Sequence, residues 1–146
     1  MSNFKGHLIA GTATGIITGG TAWYITKNPI AGLVFAGVTI AGSLAPDIDV
    51  GSIPSRIFAW IGIALSALMI YNGRPTIGAY IGIAYMAFSS DKHRGITHKW
   101  ILPAACFIAG WYGYVTQNSN YLMLVPFGVG LIVHLCLDKI PPYKII

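Results

Sequence analysis

Glutamate is absent from this sequence, and four aspartates are its whole acidic supply. Charged residues of either sign fill 9% of the 146 positions, whereas 55% are hydrophobic and the mean hydropathy is +0.66. An ordinary soluble domain is about a quarter charged, so this shortage excludes a normal soluble surface. Cysteine is scarce too. Cys106 and Cys136 lie in apolar stretches without a CxxC spacing, which excludes a zinc knuckle and a disulfide framework. In such surroundings a thiol behaves as a small apolar residue. No Ser/Pro-rich linker, low-complexity tract or fixed-period repeat divides the chain, so residues 1–146 read as one domain. P-loop and dinucleotide fingerprints are missing. Ser89 and Ser90 stand near His93, but no segment supplies an oxyanion hole, so no Ser/His/Asp or Cys/His nucleophile is evident.

The apolar residues come in long blocks rather than amphipathic stripes, which points to lipid as the solvent. A spanning helix needs ~20 mostly apolar residues. The blocks predict an all-α, polytopic membrane bundle of about six transmembrane helices, at residues 8–26, 29–46, 54–72, 76–90, 100–116 and 121–138. The fourth and fifth are short, and the alternative is four spans with two half-helices. Lys5 before an apolar run also suits a signal peptide. However, Gly11, Gly15 and Gly19 recur every four residues on one helix face, a small-xxx-small pattern for close packing in lipid. The first span is therefore expected to be retained.

Six spans put Lys5, Arg56, Lys92, Arg94, Lys99, Lys139 and Lys144 on one side, against Lys27 and Arg74 on the other. The positive-inside rule then predicts that both termini are cytoplasmic. The net charge of +5 becomes mainly a topology signal with some affinity for anionic headgroups. The loops are too short for a basic nucleic-acid module, so no nucleic acid is expected as a partner.

The scarce ionisable groups are not scattered. DKHRGITHKW, residues 91–100, holds Asp91, His93 and His98, with Arg94 between the histidines. His7 opens the first span, Asp47 and Asp49 close the second, and His134 and Asp138 close the sixth. All eight acids and histidines thus fall at the predicted cytoplasmic ends, although the topology rests on lysine and arginine alone. His134 and Asp138 are four apart and share a helix face with Gly130 and Pro126. His7 continues the glycine stripe and should point inward. A carboxylate at a helix C-terminus opposes the macrodipole by ~0.3–1 kcal/mol and asks for a cation. Pro46 discourages further helix, leaving Asp47 and Asp49 on a turn where two carboxylates repel unless screened. Gly95 permits a turn between the histidines, and Thr97 or its neighbours can cap the fifth helix.

Each group has a plainer reading: a solvated loop, a hydrogen-bonded His–Asp pair ending a helix, a headgroup histidine. Their joint placement favours a metal centre. Imidazole with carboxylate suits zinc first, then manganese or iron. Four histidines with three or four aspartates exceed one tetrahedral ion, so two divalent ions are expected, an arrangement typical of phosphoester hydrolysis.

These residues also carry a resemblance. LAPDID, HRGITH and HLCLD, preceded by His7, look like the YdjM-like inner-membrane metal-dependent hydrolases over essentially the whole chain. That group is considered distantly similar to zinc-dependent phospholipase C and single-strand nucleases. The resemblance implies a helical metal site built from His7, Asp47, Asp49, His93, His98, His134 and Asp138, and phosphodiester chemistry. One departure is Lys99, where a small residue such as serine is the family's expected form. Asp49 and Arg94 are the candidate catalytic residues, with Arg94 holding a phosphate oxygen. The expected partners are membrane lipid and a lipid or lipid-linked phosphoester substrate, and a homo-oligomer stays open. A divalent-metal transporter or binding protein is the second reading, and a small pore-forming or structural membrane protein the third.

Overall fold

The computed structural model describes residues 4–47, 53–89 and 98–141. Among them every regular element is helical: α1 (Phe4–Thr26), α2 (Pro29–Leu44), a 3₁₀ turn (Ala45–Asp47), α3 (Ile53–Tyr71), α4 (Pro75–Ser89), α5 (Ile101–Val115), α6 (Ser119–Leu122) and α7 (Leu124–Leu137). The six predicted blocks are recovered within a few residues, with the sixth broken at Met123. Pro126 supplies the break, since it has no amide hydrogen for the Leu122 carbonyl one turn back. Asp49, Asp91, His93, Arg94 and Thr97 lie outside the described residues. α5 begins after Trp100, which makes no side-chain capping bond.

Local chemistry sets the other boundaries. Asn28 caps α2, its side-chain oxygen accepting from Ile30 N–H at 2.9 Å and Ala31 N–H at 3.4 Å, with Pro29 at the first helical position. At the end of α7, Ile140 N–H reaches the Leu135 carbonyl and Lys139 N–H the Cys136 carbonyl, a Schellman ending. Lys139 takes the left-handed position with φ 55°.

Glycine sets how closely the helices approach. A Cβ on Gly11 would collide with the Ser43 hydroxyl, one on Gly15 would meet the Ala36 carbonyl at 3.0 Å, and one on Gly19 would overlap the Gly32 carbonyl at 2.6 Å. These pairings run in opposite directions, so α1 and α2 are antiparallel. The α2–α7 seam is tighter: Gly42 faces the Phe127 carbonyl and Gly130 faces the Thr39 carbonyl, with no room for a methyl group at either. Thr39 meets Gly130 and, one turn on, Ser43 meets His134, so residue numbers rise together along these two contacts and α2 and α7 run parallel. α5 lies antiparallel to α7, through Gly110 on Val125 and Gly128 on Cys106. α3 and α4 pair with each other and meet the rest chiefly at the 3₁₀ turn.

Polarity is inverted relative to a water-soluble protein. The interior holds His7, Thr39, Ser43, His98 and His134 beside Leu131 and Leu135, while Ile16, Trp23, Leu33, Trp60, Ile108 and Trp111 face outward. α2 with its 3₁₀ extension (Pro29–Asp47) and the last helix (Asn120–Leu137) are each long and apolar enough to cross a bilayer. α4 and α5 have 15 residues each, about 22 Å at 1.5 Å per residue, short of a ~30 Å hydrocarbon core.

Candidate metal centre

Four segments meet at one end of the bundle. α1 and α5 start there, and α2 and α7 finish there. His7 lies in the first turn of α1, Asp47 ends the 3₁₀ turn, His98 precedes α5, and His134 and Asp138 close α7. His7, His98 and His134 are 1%, 5% and 0% exposed, and the Asp138 carboxylate is 4% exposed. Asp47, at 23%, is the edge through which the cluster reaches the surface.

His134 is the hub. Its Nδ1–H donates to the Ser43 carbonyl at 2.9 Å. A carbonyl only accepts, so the proton belongs on Nδ1 and the Nε2 lone pair faces the cluster. Ser43 sits in the last turn of α2, where carbonyls lack a helical partner, so the bond satisfies both groups. The His134 Nε2 atom lies 3.4 Å from His98 Nε2, 3.6 Å from Asp138 Oδ2 and 3.7 Å from Asp47 Oδ1. His7 Nε2 lies 3.3 Å from Asp138 Oδ1 and 3.9 Å from Asp47 Oδ2. Neither His7 ring nitrogen has a hydrogen-bond partner among the described residues.

These donors fit a divalent metal. Zinc bonds of ~2.0–2.1 Å place tetrahedral ligands about 3.3–3.4 Å apart, close to the spacings around His134 Nε2. A fully buried imidazole with neither nitrogen hydrogen-bonded costs free energy unless something completes it. The triads His7–His134–Asp138 and Asp47–His98–His134 each bring one ligand atom per residue within 4.8 Å of the others. Nδ1–H of a metal-binding histidine commonly bonds a backbone carbonyl, the role Ser43 plays for His134.

Five of the seven expected ligands are therefore together: His7, Asp47, His98, His134 and Asp138. Asp49 and His93 fall outside the described residues, as does Arg94. Sequence reasoning missed two supporting residues. Ser43 was signalled by its four-residue spacing from Thr39 and Asp47, a polar stripe in an apolar helix. The other is Trp100, whose indole N–H donates to the Ile140 carbonyl at 3.0 Å and ties the His98 segment to the end of α7. Nothing in the sequence signalled that bond.

An all-α bundle with an apolar exterior and a buried histidine–aspartate cluster at one end defines a helical membrane protein with a candidate metal centre. The chain belongs to the YdjM inner membrane protein family, whose family model matches residues 1–146. No curated protein and no solved structure is similar enough to match.

Proposed function

We propose that this inner membrane protein is a metal-dependent hydrolase that cleaves a phosphoester of a lipid or lipid-linked substrate at the cytoplasmic membrane face. The observation carrying the reading is the convergence of three imidazoles and two carboxylates from four chain segments, four of the five groups almost fully buried. His7, Asp47, His98, His134 and Asp138 would hold the metal, zinc first with manganese or iron as substitutes. When bound, it supplies Lewis acidity toward phosphoryl oxygen and an activated water.

The chain's own groups do the rest. Ser43 fixes the tautomer of His134. Leu131 and Leu135, fully buried near His134 in the same helix, would help keep water from the cluster. Asp47 marks the open edge, by which a headgroup phosphate would enter. Asp49 would also serve at the metal, and Arg94 as the clamp on a phosphate oxygen.

The test pairs metal content with turnover, using detergent-purified protein, a lipid phosphoester panel and zinc or manganese. His134→Ala should lose metal and turnover together. Arg94→Ala should keep metal but lose roughly a hundredfold or more in rate, the scale of one lost charge-stabilising donor at ~2.7–4 kcal/mol. Metal flux through reconstituted vesicles without any hydrolysis would replace this reading with transport.

A further inference from the structure

The two carboxylates of the centre each face two ways. Asp47 turns Oδ1 toward His134 Nε2 and Oδ2 toward His7 Nε2, at 3.7 and 3.9 Å. Asp138 turns Oδ2 toward His134 and His98, at 3.6 and 3.9 Å, and Oδ1 toward His7 at 3.3 Å. The donors thus divide into two sets that share both aspartates but no single atom.

The rings divide the same way. His7 and His134 are stacked, with centroids 4.0 Å apart and planes 14° from parallel. An imidazole lone pair lies in the ring plane, so the lone pairs of stacked rings facing the same carboxylates run side by side. Side-by-side lone pairs do not converge on one ion. They suit two, and the ring spacing matches the ~3.5–4 Å separation usual in two-metal sites. His98 behaves differently: its ring stands at 79° to His134, and the two Nε2 atoms approach to 3.4 Å. Those two lone pairs share a focus.

We infer that His134 and His98 hold one ion and His7 a second beside it, with Asp47 and Asp138 each bridging the two, and that the first position fills before the second. This rests on the metal reading above. The first position has two nitrogens and two oxygens, a complete tetrahedral set of the closed kind. The second has one nitrogen and two oxygens among the described residues. His134 is oriented by Ser43, whereas His7 Nδ1 has no such support. A partner of that kind is worth about 10–100-fold in metal affinity, which sets the order of filling.

Manganese titration of the detergent-solubilised full-length protein, read by electron paramagnetic resonance and by bound metal per chain, tests this directly. Wild type should bind two ions, giving an isolated-ion signal at low loading and an exchange-coupled pair at saturation, with affinities at least tenfold apart. His7→Gln and His7→Ala should each bind a single uncoupled ion, with first-site affinity nearly unchanged. His98→Ala should weaken the first site at least tenfold. Wild type saturating at one ion per chain, or a His7 variant that still holds a coupled pair, would overturn the partition. A wild type that binds no divalent metal would instead remove the functional reading itself, which separates the two failures.

Discussion

Asp138 sits where a carboxylate is least welcome, at the C-cap of α7, facing its own helix's negative end. Lys139 follows it but is exposed and in a left-handed conformation. Among the described residues, His7, His98 and His134 face the Asp138 carboxylate, and the proposed metal would offset the opposition to the helix dipole. Asp138→Asn should therefore act with two signs. Without metal, its thermal midpoint should equal or exceed wild type, as a dipole opposition of ~0.3–1 kcal/mol is removed. With zinc at a hundred times the wild-type Kd, the stabilisation of ~2.7 kcal/mol expected from binding linkage should vanish. Paired thermal melts with zinc and with chelator check both signs, and an Asn variant still stabilised by zinc to the wild-type extent contradicts the assignment. At this scale the sequence was legible where spacing fixes direction: His7 on the Gly11 stripe and His134 above Asp138 could be placed inward from periodicity alone. The Trp100–Ile140 bond was not legible, because it depends on where two segments forty positions apart come to rest.

Among the helices, the α2–α7 seam decides whether the ligands meet. Gly130 is one turn from His134, and a methyl group there would strike the backbone of Thr39 and Ser43. Gly130→Ala should push α7 away from α2, costing ~1–3 kcal/mol as overpacking does. It should also weaken metal binding, though no ligand is altered. Gly20→Ala and Gly37→Ala are the controls, because a Cβ at either meets nothing within 4 Å. Unfolding midpoints and metal titration of the three variants should separate Gly130 from the other two. Equal behaviour would mean that the seam does not position the site. The glycine pattern revealed that close packing occurs but only partly where. Gly11, Gly15 and Gly19 announced themselves by their period. Gly130 was marked by its stripe with Pro126, His134 and Asp138, whereas Gly42 faces α7 at a position no single-helix pattern marks. Helix ends were read to within a residue or two where Pro29, Pro75 or Asn28 punctuates the chain, and less well at Met123.

For the whole molecule, the inverted polarity and membership of an inner membrane family agree with the composition, and the six apolar blocks became the helices the bundle uses. The basic residues predict an orientation: reporter fusions after Lys27 and Arg74 should lie outside the cytoplasm, and fusions after Arg56 and at Lys144 inside. A non-cytoplasmic reporter at Lys144 would reverse the face on which the proposed hydrolase works. That ligands from both ends of the chain belong together was legible from shared membrane depth.

His7 and Asp138 meet although they lie near opposite ends of the order in which residues leave the ribosome. α1 therefore enters the bilayer long before its imidazole has any of its eventual neighbours. The polar side of the bundle cannot close until α7 has been threaded and packed beside α2. Acquisition of the proposed metal would then be a late event, coupled to release of the last helix rather than to insertion of the first.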